Sequence, residues 1–260
     1  MPFTLAHPAA VLPLWRRLHH PGEMSAAVIG SMAPDFVFWL PLPIDRDTSH
    51  SILGLFLFCL PTGVMALWLY QTLIRDPIVA LLPRAISVRL PLRQPILWRL
   101  RNVVRVLLAL LLGAVTHIVW DAFTHDNTLI TRQFPFFATP LLIQNGYTLR
   151  VYMVLQHGSA LVGLGVITFY AWRWYQSTPP RNASHPENLL AWQKASIATC
   201  LIVPSVIGAV QNGLYKAPRE ASLQALQVFS MAAFVAGIGI FILVLCILGL
   251  LWPLVERREW

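Results

Sequence analysis

The sequence predicts an all-α, polytopic integral membrane protein with five or six transmembrane helices, and two observations support this prediction. First, 57% of the 260 residues are hydrophobic and only 12% are charged, whereas a soluble domain has about 25% charged residues. Second, several uncharged runs approach or exceed the roughly 20 residues that a helix needs to cross a bilayer. These runs are continuous, which favours helices over membrane strands, whose polarity alternates.

Five runs are predicted to span the membrane, and a sixth near the N-terminus is ambiguous. The five are 51–74, 106–125, 151–172, 195–215 and 221–255. The sixth, 24–44, contains Asp35 and three prolines, so it either crosses as a short helix or re-enters on the side where it began. The expected domains are a membrane domain at 1–175, a cytoplasmic linker at 176–194 and a two-helix membrane hairpin at 195–260.

Arginines concentrate in the loop between the first two long runs, and they set the predicted orientation. Seven lie between residues 75 and 105, where Asp76 is the only acidic residue. Because positive residues mark cytoplasmic loops, the 75–105 loop and the C-terminus are expected to be cytoplasmic. Arginines interleaved with apolar residues suit a surface of anionic lipids. The net charge of +8 therefore indicates membrane lipids as partners, and not nucleic acid.

The segment THIVWDAFTH, residues 116–125, places two histidines and an aspartate inside an apolar run. His117, Asp121 and His125 are spaced so that a helix puts them on one face, within an arc of about 80°. Imidazole and carboxylate groups are common ligands of zinc and related ions. An ionisable residue within a span costs about 3 kcal/mol, so it usually has a partner. The pattern predicts a metal site, and the alternative is a buried hydrogen-bond network between packed helices.

Four more ionisable residues are candidates for the same site. His50 begins the first long run, His157 lies near the start of the third, Asp35 lies in the segment APDF, and His7 lies in AHPAA. Each has a simpler interpretation, such as an interfacial residue for His50, a helix N-cap for Asp35 and a glycine-rich packing surface around His157. His7 and Asp35 can join the predicted site of His117, Asp121 and His125 only if 24–44 re-enters, which we favour.

Five motifs follow one another along the first 170 residues: MPFTLAHPAAVLPL, IGSMAPDF, SHSILGLFLFCLP, GAVTHIVWDAFTH and LQHGSALVG. This series resembles a bacterial membrane-protein family known as domain of unknown function 4184. It is more distantly similar to the membrane-bound metal-dependent hydrolase family, which implies metal ligands at His7, Asp35, His50, His117 and Asp121. It also resembles the zinc-dependent phospholipase C and single-strand nuclease superfamily, which adds His125 and His157. Leu161 stands where that superfamily has a glutamate, which indicates one or two ions.

The sequence therefore predicts a zinc-type hydrolase site near the outer leaflet, with His117 and Asp121 as candidate catalytic residues. A bound divalent ion brings the pKa of water to about 7, and the depth of the site suggests a lipid or lipid-linked ester or phosphodiester as substrate. One alternative is a transporter for a metal ion or proton, although the last two runs are poor in ionisable residues. Another is a non-catalytic scaffold. The sequence gives no indication of the oligomeric state.

Overall fold

A computed structural model describes residues 4–40, 42–91, 99–144, 147–181, 189–220 and 222–256. The longer helices are α1 (Glu23–Gly30), α2 (Ile52–Leu81), α3 (Leu100–Thr124), α4 (Val151–Ser177), α5 (Ala191–Lys216) and α6 (Leu223–Glu256). Short helices occupy Thr4–Ala10, Leu12–Leu14, Ala33–Phe38, Arg46–Ser49, Arg84–Ser87, Leu129–Gln133 and Pro135–Ala138. The strands β1 (Pro140–Gln144) and β2 (Tyr147–Arg150) form one antiparallel hairpin.

Five of these helices, α2 to α6, are long and apolar enough to cross a membrane. The predicted all-α, polytopic fold is therefore confirmed. Parts of two predicted segments lie outside the described residues, namely 92–98 of the arginine-rich loop and 182–188 of the linker.

The ambiguous N-terminal run forms two short helices in place of one long one. Helix α1 has 8 residues and the 3-10 helix Ala33–Phe38 has 6, so neither reaches the roughly 20 residues of a span. Pro34 has no N–H to continue the helical ladder, and the chain turns between Gly30 and Ala33. This break leaves Asp35 buried, with 4% of its surface exposed.

The chain forms two compact units. Unit 1 comprises Met1–Val37, Leu42–Leu67 and Arg93–Ser177, and unit 2 comprises Phe38–Pro41, Trp68–Leu92 and Thr178–Trp260. In unit 2, α5 and α6 pack along their length, with Gly213 against the ring of Phe229 and the Asn212 amide donating to the Ala232 carbonyl at 2.8 Å. All the predicted site residues belong to unit 1.

Small residues let α1 pack directly on the backbone of α3 within unit 1. A Cβ added at Gly113 would lie 2.6 Å from the Ser31 nitrogen and would also meet the Ala27 carbonyl. A Cβ at Gly30 would meet the Leu110 backbone in the same way. Close backbone approach through small residues is a common form of membrane-helix packing. Here it places Ser31 beside α3, one turn before His117.

Gly113→Ala is expected to destabilise unit 1 by about 1–3 kcal/mol, because the new methyl group meets backbone atoms that cannot move aside easily. Gly158→Ala is the matched control, since nothing lies within 4 Å of a Cβ built there. Alanine also favours a helix over glycine by about 1 kcal/mol, so the control should unfold at the same temperature as wild type or higher. Thermal unfolding in detergent measures both. Equal unfolding temperatures for the two variants would contradict the close α1–α3 contact.

Helix α2 contains two widened, π-helical turns, each shortly before a proline. Leu55–Cys59 precedes Pro61, and Tyr70–Ile74 precedes Pro77. Proline lacks an N–H and its ring presses on the preceding turn, and a wider turn relieves that crowding. The Cys59 thiol in the first of these turns donates to the Ser49 carbonyl at 3.3 Å. This bond holds the start of α2 against Ser49, which directly precedes His50.

Candidate metal centre

Four ionisable side chains of unit 1 converge near the C-terminal end of α3: Asp35, His50, His117 and Asp121. One ligand atom from each lies within 4.8 Å of the corresponding atoms of the other three. Asp35 comes from the 3-10 helix Ala33–Phe38, His50 follows the short helix Arg46–Ser49, and α3 supplies the other two. All four side chains are at most 9% exposed. We call these four residues the His/Asp cluster.

Four of the six distances between these ligand atoms are close to the edges of a tetrahedron around a zinc-sized ion. Asp121 Oδ2 lies 3.3 Å from His50 Nε2 and 3.5 Å from His117 Nε2, and Asp35 Oδ1 lies 3.7 Å from each of the two nitrogens. Tetrahedral bonds of about 2.0–2.2 Å separate neighbouring ligand atoms by about 3.3–3.6 Å. Octahedral coordination at about 2.1 Å would separate them by only about 3.0 Å. These four distances, with all four atoms within 4.8 Å of one another, are compatible with a four-coordinate ion.

Backbone carbonyls determine which nitrogen of each cluster histidine faces the carboxylates. His117 Nδ1 lies 2.7 Å from the Ser31 carbonyl oxygen, and His50 Nδ1 lies 3.0 Å from that of Arg46. Because a carbonyl oxygen only accepts, each Nδ1 donates its hydrogen, and in the neutral ring Nε2 presents a lone pair. Both Nε2 atoms are buried without a hydrogen-bond partner among the described residues. Lone pairs that face carboxylates are unfavourable unless a metal ion or an added proton lies between them.

The outer oxygen of each carboxylate is also held. Thr4 Oγ1 donates to Asp35 Oδ2 at 2.5 Å, and His7 Nε2 lies 3.1 Å from Asp121 Oδ1. The His7 ring stacks on His117 with 3.8 Å between ring centroids. Each member of the His/Asp cluster thus directs one atom inward and has its other polar atom fixed by a neighbour. Such outer hydrogen bonds are how metal sites orient their ligands.

The three other predicted histidines lie outside this four-residue set. His7 and His125 both contact the outer oxygen of Asp121, with His125 Nδ1 3.4 Å from Oδ1. The Nε2 atom of His125 lies 3.0 Å from the Gln156 amide nitrogen. His157, the next residue along α4, is exposed. The structure therefore brings six of the seven predicted residues together and leaves His157 apart, and metal ligation by any of them stays a prediction.

Packing against α4 explains how His7 reaches Asp121. A Cβ added at Gly163 would lie 3.0 Å from the carbonyl oxygen of Ala6, so the glycine lets the Thr4–Ala10 helix lie directly on α4. Trp120 links α3 to α4 beside this contact, because its Nε1 donates a hydrogen bond to Ser159 Oγ at 3.0 Å. The helix of His7 is thus held between α3 and α4.

Arg46 is a site residue that the sequence prediction missed. Its Nη2 atom donates to Asp121 Oδ2 at 2.6 Å, the same oxygen that faces the two cluster histidines. Its side chain is 27% exposed, against 5% for Asp121. The signal in the sequence was the segment DRDTSH, in which a cation lies one helical turn before His50.

Asp45 caps the short helix that carries Arg46 and leads to His50. Its Oδ1 atom accepts the backbone N–H of Thr48 at 2.8 Å. Interactions with the side chain and backbone of Thr48 lower the pKa of the exposed Asp45 carboxyl below its usual value of 3.8. Because the folded state favours the charged form, the stabilisation is present above the unfolded pKa and is lost as the pH falls through the lower, folded pKa.

Asp45→Ala is expected to weaken zinc binding a few fold, because loss of the cap loosens the turn whose carbonyl orients His50. Asp45→Asn is the matched control, since asparagine caps a helix about as well as aspartate. Competition for zinc with a chromophoric chelator measures both affinities. Unchanged affinity in Asp45→Ala, or an equal loss in Asp45→Asn, would show that the cap does not support the site.

Comparison with known proteins identifies the family of the chain. No curated protein and no solved structure matches it. The model of a family described as a domain of unknown function, DUF4184, matches residues 1–248, a range that contains the whole His/Asp cluster. This match confirms the first resemblance noted in the sequence. The chain therefore belongs to the DUF4184 family.

Proposed function

We propose that the protein is a membrane-embedded, metal-dependent hydrolase whose divalent ion is held by Asp35, His50, His117 and Asp121. The supporting observation is the pair of buried imidazole nitrogens, without hydrogen-bond partners among the described residues, that face two carboxylates at 3.3–3.7 Å. Two imidazoles and two carboxylates suit zinc and related ions. Such an ion lowers the pKa of a coordinated water to about 7 and polarises an ester or phosphoryl oxygen. Zinc can accept a fifth ligand during reaction, so four protein ligands are compatible with catalysis.

The remaining buried face of α3 favours a fixed site over a transport pathway. Between Arg105 and His117 this face is entirely apolar. It consists of Val106, Ala109, Leu110, Gly113 and Ala114. The α1 backbone covers it closely at Gly113. An ion or proton pathway needs polar groups along its length, and this stretch of the described unit 1 offers none on α3.

The arginines at the other end of α3 support a location near the outer leaflet. Arg99, Arg101 and Arg105 lie at or near its first turns, and positive residues favour the cytoplasmic side. At about 1.5 Å per residue, His117 lies about 18 Å beyond Arg105. In a bacterial inner membrane with the 75–105 loop and the C-terminus inside, His117 would lie in the outer half of a hydrocarbon core about 30 Å thick, nearer the outer headgroups than the inner ones. The proposed substrate is therefore a lipid or lipid-linked ester or phosphodiester.

The test is metal-dependent turnover by purified protein in detergent. The protein is stripped with a chelator, reloaded with Zn²⁺, and assayed against a fluorogenic carboxylic ester, an aryl phosphodiester and a phospholipid. The proposal predicts hydrolysis of at least one class by the reloaded protein and none by the stripped protein. Stoichiometric zinc without hydrolysis of any class would overturn the hydrolase proposal and leave a structural ion.

A further inference from the structure

We infer that Arg46 is the anion-binding residue of this centre and that the substrate presents a phosphate group to it. The inference rests on the proposed metal-dependent function and specifies its substrate class. It follows from the position of Arg46, from the hydrogen-bond donors that it leaves unused among the described residues and from the charge of the buried cluster.

Arg46 connects the buried ligands to the surface. Its Nη2 atom lies 2.6 Å from Asp121 Oδ2, so it is adjacent to the atoms that would surround the ion. Its side chain is 27% exposed, whereas the members of the His/Asp cluster are between 0% and 9% exposed. A ligand that enters from the exposed side would therefore meet the guanidinium group before it meets the ion.

Among the described residues, most of the hydrogen-bonding capacity of Arg46 is unused. A guanidinium group has five N–H donors in one plane, and the bond to Asp121 is the only one that the side chain makes within the described residues. The planar fork matches pairs of oxygens on phosphate and carboxylate groups. A tetrahedral phosphate can also place one oxygen on an ion and others on the guanidinium group.

The charge of the cluster favours a phosphate over a neutral ester. Asp35 and Asp121 contribute −2, Arg46 contributes +1, a divalent ion contributes +2, and neutral histidines contribute nothing, so the loaded centre has a charge of +1. A phosphodiester, with a charge of −1, would neutralise it. A neutral carboxylic ester would bring no anionic oxygen to pair with the guanidinium group of Arg46, which is the residue nearest the exposed side.

The phosphate has two plausible sources, and the surroundings of Arg46 favour a lipid headgroup. The first residues of α2, which begins just after His50, are strongly exposed and apolar. They include Ile52, Leu53, Phe56 and Leu57. In a helix long enough to span a membrane this surface contacts acyl chains. A soluble phosphoester is the other source, and the experiment distinguishes the two.

The test uses inorganic phosphate as the probe and Co²⁺-loaded protein, whose visible spectrum reports ligands that bind at the ion. We expect phosphate to change the wild-type spectrum with saturation. Arg46→Gln should weaken phosphate binding by at least about tenfold, because a charge-assisted hydrogen-bonded pair is lost. Arg46→Lys keeps the charge without the planar fork and should lie between the two. Arg132→Gln, an exposed arginine shortly after α3, is the matched control and should bind like wild type.

The outcomes separate this inference from the proposed function. If wild-type protein holds the ion but does not bind phosphate, or if both Arg46 variants bind it normally, the inference is wrong and metal-dependent hydrolysis is untouched. If both Arg46 variants lose the ion, Arg46 is a counterion of Asp121 and the inference is also wrong. If wild type holds no ion, the proposed function fails. Competition by a short-chain phosphatidylglycerol points to a lipid headgroup, and competition by glycerol phosphate alone points to a soluble source.

Discussion

Asp121→Asn is expected to abolish metal binding and, with it, any hydrolytic activity. Both oxygens of Asp121 are in use: Oδ2 faces His50, His117 and Arg46, and Oδ1 faces His7 and His125. Asparagine keeps the shape but removes the charge and puts an NH₂ group where an acceptor is needed. Loss of an outer contact already weakens metal binding by about 10- to 100-fold, so loss of a ligand should exceed that range.

The measurement is the metal-to-protein ratio after dialysis against a weak chelator. Asp126→Asn is the matched control, because Asp126 lies five positions further along the chain and is exposed. The control should retain the ion and the activity of wild type. Retention of the ion by Asp121→Asn would show that the carboxylate charge of Asp121 is not needed for binding.

His117→Ala is expected to lose the ion and also to lower the free energy of unfolding by about 2–4 kcal/mol. The ring is fully buried, stacks on His7 and donates to the Ser31 carbonyl. Its removal therefore creates a cavity and leaves a buried acceptor unpaired. Zinc content and chemical unfolding in detergent measure the two effects.

His157→Ala is the control for this second prediction. The sequence pattern treats His117 and His157 alike as metal ligands, whereas the structure buries the first and exposes the second. His157→Ala should therefore keep both zinc content and stability. Loss of zinc in His157→Ala would mean that α4 presents His157 to the site, in conflict with the contact of Gln156 with His125.

The transmembrane helices could be predicted from sequence because length and hydrophobicity alone define them. Their ends could not. The first run was predicted to end at residue 74, yet α2 continues to Leu81, and the charged pair Arg75 and Asp76, 3.0 Å apart, lies within the helix. Charged residues end an apolar run without ending a helix. Hydropathy therefore indicates the length of the apolar run and not the helix boundary.

The α3 part of the site was also predictable, since spacing alone puts His117 and Asp121 on one helix face. The approach of His7 and Asp35 to these α3 residues was not predictable. It depends on Gly30, Gly113 and Gly163, which let backbones pack in direct contact. Close packing of this kind leaves no periodic signal. For the same reason, the sequence alone could not decide whether the 24–44 segment crosses the membrane or re-enters.

Two features were missed although the sequence contained a signal for each. Arg46 precedes His50 by one helical turn, and the pattern was interpreted only for histidines and acids. The hairpin of β1 and β2 surrounds an Asn-Gly dipeptide at 145–146, a common two-residue hairpin turn, although those two residues lie outside the described part of the chain. Both signals are only a few residues long, and an interpretation based on long apolar runs did not consider them.

The metal content of the purified wild-type protein tests the central claim most directly. The protein is equilibrated with Zn²⁺ and dialysed. Elemental mass spectrometry then gives the zinc concentration, which is divided by the protein concentration. The His/Asp cluster predicts one tightly held ion per chain, removed by a strong chelator with a loss of thermal stability. A protein that retains no ion, and whose unfolding temperature does not respond to zinc, would contradict the claim. The cluster would then be a hydrogen-bonded network of protonated histidines and carboxylates.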